Sequence, residues 1–288
     1  LVRPARPEDK PAVIEFTRTI WDGHDYLPKV WDGWLADPHG RLFVGEVGGK
    51  PVATYRVALL SPTYAWMEGL RVDPTHRGRG YARRIHDAAL ELALAIPGVQ
   101  RVGLSTSWEN EAVIHMSEAS GMRRVADCRY LVTAAEPNDA REPVCFGPDD
   151  FTALRALVDG SECARLAKGH MADGWQFPPL EDELLRRLLD TGRVLGYVRE
   201  GEPQVAVLLG QNKERDDVWI GFLAGEDTSA VGELAHALRR RALDLPDPRA
   251  RAMLPAALST LPALRAAGFD DYEGEAFHVY LYERERDS

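Results

Sequence analysis

Cysteine is scarce in this 288-residue chain, which holds only Cys128, Cys145 and Cys163. Three scattered thiols are too few for a disulfide framework or a zinc cluster, so they read as core or surface thiols and no metal site is expected. Long apolar runs are missing too. No window approaches 18 consecutive apolar residues, and no membrane span is expected. The opening stretch, LVRPARPEDKPAVIEF, holds no uninterrupted apolar segment of the secretory type, so a cytoplasmic location is the expectation. Positive charge is also short, with 35 Lys and Arg against 45 Asp and Glu and a net charge of −10. Nucleic acid as the main partner would need a broad basic surface, and the balance argues against it. Any anion site must be a local basic island.

What is present suits a soluble globular protein. Hydrophobic residues make up 45%, enough for full cores, and 288 residues fit two domains better than one. The first half alternates helix and strand. Val13, Phe16 and Ile20 recur at helical spacing, and a loop rich in aromatics, IWDGHDYLPKVWDGWLADP, follows. Strand-like runs cover 42–47, 52–60 and 64–72, the first two joined by Gly48-Gly49 as a hairpin. Residues 81–95 read as a helix with Ala82, Ile85, Ala89, Leu92 and Leu94 on its apolar face. A strand over 101–106 and a helix over 110–120, closed by Gly121, complete the half. The polar stretch AAEPNDAREP at 134–143 suits a linker, after which a similar order of helices and strands begins again. The spacing predicts a duplicated fold.

The basic island sits at residues 77–82, RGRGYA, between a strand and the helix over 81–95. Glycines at 78 and 80 let the backbone adopt unusual conformations and approach a ligand closely. A turn that opens a helix presents unpaired N–H groups backed by the helix dipole, which suits a phosphate or pyrophosphate. The plainer reading is a solvated basic helix start with a tight turn. A dinucleotide fingerprint would need a third glycine where Arg83 stands, and the G-K-[ST] ending of a P-loop is absent.

The longer string L-R-V-D-P-x-x-R-G-R-G-Y-A resembles motif A of the GNAT superfamily of N-acetyltransferases, whose loop reads [RQ]-x-x-G-x-[GA]. The strand before it, the helix after it and a downstream N-E-A-V-I-x-M-x-x-x-x-G segment match in order, over about residues 3–133. The resemblance implies an α/β fold with a mixed, mostly antiparallel sheet flanked by helices, and acetyl-CoA as acetyl donor. Its pyrophosphate would sit on the backbone of Arg77, Gly78, Arg79, Gly80, Tyr81 and Ala82. A bulged strand, Trp66–Val72, would offer backbone contacts from Leu70, Arg71 and Val72, and Asn110 would bond the cofactor arm. Glu68, two residues before Leu70 and on the same face by strand parity, is the candidate general base. Its alternative role is a structural salt bridge with an arginine. The tyrosine that such enzymes use to protonate the leaving thiolate falls on Ser117, so Tyr26, Tyr64 or water would have to substitute.

The second half lacks a basic glycine loop. After VWIGFLAG come Glu226 and Asp227, which would repel a pyrophosphate. The expectation is tandem GNAT-like domains: residues 1–135 binding acetyl-CoA and catalysing, residues 141–288 degenerate and unable to bind it. The segment G-x-D-Y-L-P with W-L-x-D-P and M-E-G-L-R-V further resembles the histidine N-acetyltransferase group. That resemblance implies a small-molecule amine acceptor, an amino acid of the histidine kind, with Trp21, His24, Asp25 and Tyr26 lining its pocket. A catalytically impaired acyl-CoA sensor or scaffold, or an enzyme acting on protein amines, are the alternatives. A monomer or a homodimer fits equally.

Overall fold

A computed structural model describes residues 1–211, 216–274 and 276–287, leaving aside the side chains of Trp21 and Asp22. The chain divides into two compact units. One comprises residues 1–104, 115–123 and 283–288; the other comprises residues 105–114 and 124–282.

The first unit is built from β1 (Val2–Pro4), α1 (Lys10–Thr17), α2 (Leu27–Ala36), β2 (Gly40–Val47), β3 (Lys50–Ser61), β4 (Tyr64–Val72), α3 (Tyr81–Ala95), the start of β5 (Arg101–Ser107) and most of α4 (Glu111–Ala119). Its strands run in the order β1-β2-β3-β4-β5, antiparallel except for the parallel pair β4–β5. Gly48 and Gly49 both take positive φ, 56° and 81°, as the tight turn between β2 and β3 requires.

Two expectations change. The aromatic stretch is not a loop: Leu27–Ala36 is a helix, with Pro28 tolerated in its first turn and Leu27 and Trp31 one turn apart in the core with Val13, Phe16, Leu42 and Val44. The apolar face of α3 is also rotated from the expected one. Ile85, His86, Ala89, Leu90 and Ala93 are buried, whereas Leu92 is 46% exposed. A histidine takes a core position there, which hydropathy alone would not choose.

The second unit holds β6 (Arg123–Ala134), β7 (Val144–Cys145), α5 (Phe151–Asp159), α6 (Glu162–Leu166), α7 (Asp182–Asp190), β8 (Val194–Arg199), β9 (Glu202–Gly210), β10 (Val218–Ala224), α8 (Thr228–Arg241), β11 (Arg249–Pro255), α9 (Leu261–Ala266), β12 (Asp270–Asp271) and most of β13 (His278–Glu285). Its main strands run β6-β11-β10-β9-β8-β7, again antiparallel except for one parallel pair, β10–β11. The alternating arginines of β11 hide it from a hydropathy reading; Arg251 is fully buried and ion-paired with Asp217 and Asp247. Residues 135–143 carry no helix or strand, as the proline-bracketed composition suggests.

Candidate active site

β4 leads through a short 3-10 turn, Pro74–His76, into the glycine turn that opens α3. Asp73 caps that turn, its Oδ1 accepting from the Thr75 N–H at 2.8 Å and its Oδ2 lying 3.1 Å from His76 Nδ1. Gly78 and Gly80 then adopt φ of 73° and 75°. A Cβ on either would meet no atom within 4 Å, so the glycines serve the backbone angle and the space above the turn is open. Arg84 is the first residue of α3 whose N–H bonds back, to Gly80 O at 3.1 Å. Among the described residues the N–H groups of Gly78, Arg79, Gly80, Tyr81 and Ala82 bond no protein acceptor. Five unpaired donors at a helix start form a ready cradle for an anion.

The arginines around this turn divide their work. Arg77, Arg79 and Arg84 are exposed, and among the described residues they make no ion pair. Arg83 is diverted: it bonds Asp87 at 2.8 Å and the Ala119 carbonyl at 3.1 Å, tying α3 to the end of α4. Tyr81 and Ala82 are half-buried on the first turn of α3.

Behind the turn, β4 is bulged where its glycine predicts. Opposite β3 the register runs Thr54↔Arg71 and then Arg56↔Glu68, so Gly69 and Leu70 together face Tyr55. Gly69 has φ 72°, and a Cβ there would stand 2.6 Å from the Trp34 ring. On its other side β4 pairs with β5 from Tyr64↔Arg101 to Trp66↔Gly103. Among the described residues that ladder stops there, so Met67, Leu70 and Val72 lie beyond its end. An extended ligand arm can bond the backbone of a strand edge as a strand would.

Glu68 stands one residue before the bulge, and its carboxylate is ion-paired with Arg56. The same guanidinium pairs with Asp37 and lies 5.0 Å from the Trp34 ring centre. Burial pushes the Asp37 carboxyl up, yet its bonds to the His39 N–H and the Arg56 guanidinium bring it below the usual carboxylate range. Leu70 adds its carbonyl, which accepts from Arg71 Nη1 at 2.9 Å, while Val72 pairs with Ala53 across β3.

The expected acceptor residues are placed unevenly. Asp25 has only 1% of its side chain exposed, and Arg71 holds its carboxylate at 2.7 and 3.2 Å. The same carboxylate accepts the Leu27 N–H at 2.9 Å, so Asp25 joins β4 to the start of α2. Tyr26 is half-buried, with Arg71 5.1 Å from its ring centre and Trp34 edge-on at 5.9 Å; burial pushes its phenol up to about 12. His24 is exposed, and the side chain of Trp21 lies outside the described residues. Asn110 belongs to the second unit, where its Oδ1 accepts the Val113 N–H at 3.4 Å at the head of α4. Tyr64 is fully buried, its hydroxyl filling the space where a Gly103 side chain would be, 1.9 Å from the Cβ position. It is sealed from any ligand. Ser117 is fully buried too.

Arg56, Asp37 and His86 escaped the sequence reading. Arg56 left a signal, a lone charge inside the apolar strand VATYRVALL, which has to find a buried counter-charge. His86 left none. Its Nδ1 lies 3.4 Å from the Tyr55 hydroxyl and its Nε2 2.9 Å from Ser120 Oγ. Because Ser120 Oγ donates to the Ser117 carbonyl at 2.8 Å, the consistent assignment is a neutral ring with the proton on Nε2. Burial lowers this imidazole to about 4.

In the second unit the corresponding features are closed. β10 is bulged at Gly221, between the pairs Ile220↔Leu209 and Phe222↔Leu208. Ala172 covers that bulge: its N–H bonds Gly221 O at 2.9 Å, and its carbonyl would lie 2.0 Å from a Gly221 Cβ. The head of α8 is capped internally by Asp227, whose Oδ1 accepts the Ala230 N–H at 3.0 Å. Among the described residues no group of His, Cys, Asp and Glu is placed to hold a metal, and no helix is long and apolar enough to cross a membrane.

An open glycine turn thus stands at the head of α3, fed by a bulged strand of a mixed α/β fold. Residues 11–122 match the acetyltransferase (GNAT) family. Among characterised relatives, the histidine N-acetyltransferase of Oreochromis niloticus is 33% identical over 79 residues, 27% of this chain. That match spans 23% of the relative's own length. A GCN5-related N-acetyltransferase from Sphaerobacter thermophilus shares the fold across 100% of this chain and 96% of its own, with a TM-score of 0.66 at 17% identity. A tandem GNAT protein from the clavulanic acid biosynthesis pathway does so across 100% and 99%, with a TM-score of 0.61 at 15% identity.

Proposed function

We propose that this protein transfers acetyl from acetyl-CoA to the primary amine of a small molecule, an amino acid of the histidine kind. The observation that carries the reading is the turn at 77–82: five unpaired N–H groups, open space above both glycines and three unengaged arginines on an otherwise acidic chain. These residues fit a pyrophosphate, and the backbone of β4 at Leu70 and Val72 fits an amide-bearing arm. Acetyl-CoA supplies an activated acyl group as a thioester. The amine nitrogen must be uncharged when it attacks, so a base is needed, and Glu68 at the bulge is the carboxylate in place to accept its proton. The carbon–nitrogen bond forms, the carbon–sulfur bond breaks, and the thiolate leaves with its electron pair. Among the residues considered for returning a proton to sulfur, Tyr26 stays protonated at neutral pH and Tyr64 is out of reach. Similarity to a histidine N-acetyltransferase over 79 residues supports the acceptor class.

In the second unit, Asp227 at the head of α8 and Ala172 over the bulge of β10 support a domain that no longer binds CoA. The reading is tested by offering amino acids, polyamines and peptides with acetyl-CoA and detecting released thiol. Transfer to free amino acids, histidine among the best, is expected. Transfer to peptides alone overturns the small-molecule acceptor. Binding of acetyl-CoA without transfer to any amine makes the protein an acyl-CoA sensor.

A further inference from the structure

Arg56 is a feature of the first unit that a stable core does not require. It sits at the centre of β3, with Leu42 of β2 and Glu68 of β4 as its register partners. Its side chain is 5% exposed, against 16% for Glu68 and 25% for Asp37. Burying a guanidinium costs desolvation, and a well-packed apolar residue at such a position is often as stable or more so. The surroundings are nonetheless shaped around it. Asp37, just past α2, takes Nη2, Glu68 takes Nη1, and Trp34 of α2 covers the guanidinium at 5.0 Å. Gly40 completes the fit, because a Cβ there would lie 2.8 Å from both Arg56 Nη2 and Asp37 Oδ2. Trp34 also fills the side-chain space of Gly69, so one ring touches both the bulge and the cation beside it.

We propose that Arg56 is a positioning residue for acetyl transfer: its buried fork, anchored by Asp37 and Trp34, aims the Glu68 carboxylate at the bulge of β4. The inference rests on the acetyltransferase reading above. A glutamate has three rotatable side-chain bonds and would otherwise sample several rotamers; a two-armed cation held from behind leaves it one. Arg56 itself exchanges no proton. The amine proton goes to Glu68, the carbon–nitrogen bond forms and the thiolate departs, while the guanidinium keeps the carboxylate in place. Lysine cannot reproduce this, since it presents a point charge rather than a planar fork.

A double-mutant cycle tests the proposal, with turnover measured on the best amine and acetyl-CoA affinity measured by calorimetry. Arg56→Met is expected to lower kcat about 10²-fold, the usual range for losing a positioned base, with acetyl-CoA affinity unchanged. In a Glu68→Gln background the same change should cost less than about 3-fold, because a residue acting through Glu68 has nothing left to aim. Should Arg56→Met fail to fold, Arg56→Lys carries the test, with a loss of about 10-fold alone and little on top of Glu68→Gln. Equal losses in both backgrounds mean that Arg56 is only structural and overturn the proposal. A wild-type protein that transfers acetyl to no amine sinks the acetyltransferase reading itself, and this proposal with it.

Discussion

At the scale of single residues, the site rests on charges that neutralise one another. Asp25 answers Arg71, and Asp37 and Glu68 share Arg56. Glu68→Gln keeps the shape of the side chain but cannot accept a proton. Turnover should fall by about 10²-fold near neutral pH, while acetyl-CoA affinity holds. An α-amine with a pKa near about 8 is mostly protonated at neutrality, so the deficit should shrink as pH rises and free amine becomes available. A flat deficit, or none, assigns Glu68 to structure. His86 makes a second, independent prediction. Its folded value of about 4 lies below the ordinary 6.5 of an exposed imidazole. Below that ordinary value the unfolded chain binds a proton that the folded protein refuses. The stability contribution is therefore complete above pH 6.5 and is lost as pH falls towards about 4. Between pH 7 and pH 5 wild type should lose roughly 2 kcal/mol that a His86→Gln variant keeps, read from urea unfolding at both pH values.

At the scale of elements, the glycine turn and the bulge use the same backbone freedom for different ends. Gly69 leaves room for a neighbour, the Trp34 ring. Gly80 faces open space. Gly80→Asp should accordingly fold almost normally, since nothing crowds the position, although a positive φ costs an L-residue about 1–2 kcal/mol. It should nevertheless strongly weaken acetyl-CoA binding, by setting a carboxylate among N–H groups whose charge-assisted bonds are worth roughly 1.5–3 kcal/mol each. Calorimetry alongside a thermal midpoint separates the two effects. Unchanged affinity would move the cofactor site elsewhere.

At the scale of the whole molecule, the two units repeat a strand pattern and differ at the helix that follows the bulged strand. α3 starts with unpaired donors, whereas α8 starts with the Asp227 carboxylate on its own backbone. A calorimetric titration should therefore reach one CoA per chain, and two equivalents would refute the degenerate second unit. Residues 283–288 add a structural dependence, because they belong to the first unit. Glu283 approaches Arg101 at 3.6 Å, Arg284 donates to the Ser120 carbonyl at 3.0 Å, and the Arg286 N–H bonds Gln100 O at 2.8 Å. Truncation after Tyr282 should destabilise the first unit by roughly 3 kcal/mol or more, since several partly buried polar groups lose partners together. Limited proteolysis within residues 1–104 would report it, and unaltered protection would show these contacts to be dispensable.

Helix α3 starts at Tyr81 and ends at Ala95 as the sequence predicts, and the Gly48-Gly49 turn also falls where expected. These features depend on backbone angles and on spacings of a few residues, so neighbouring side chains are enough to determine them. The glycine turn at 77–82 was legible for the same reason, as was the bulge at Gly69. The phase of α3 was not, because burying His86 in place of Leu92 depends on Tyr55 and Ser120 arriving from β3 and the end of α4. Nor could sequence alone pair Arg56 with Asp37 and Glu68, or Arg71 with Asp25, across separations of 19, 12 and 46 residues. Which carboxylate a buried cation meets is decided by strand register and helix packing, and a one-residue slip in either would exchange its partners.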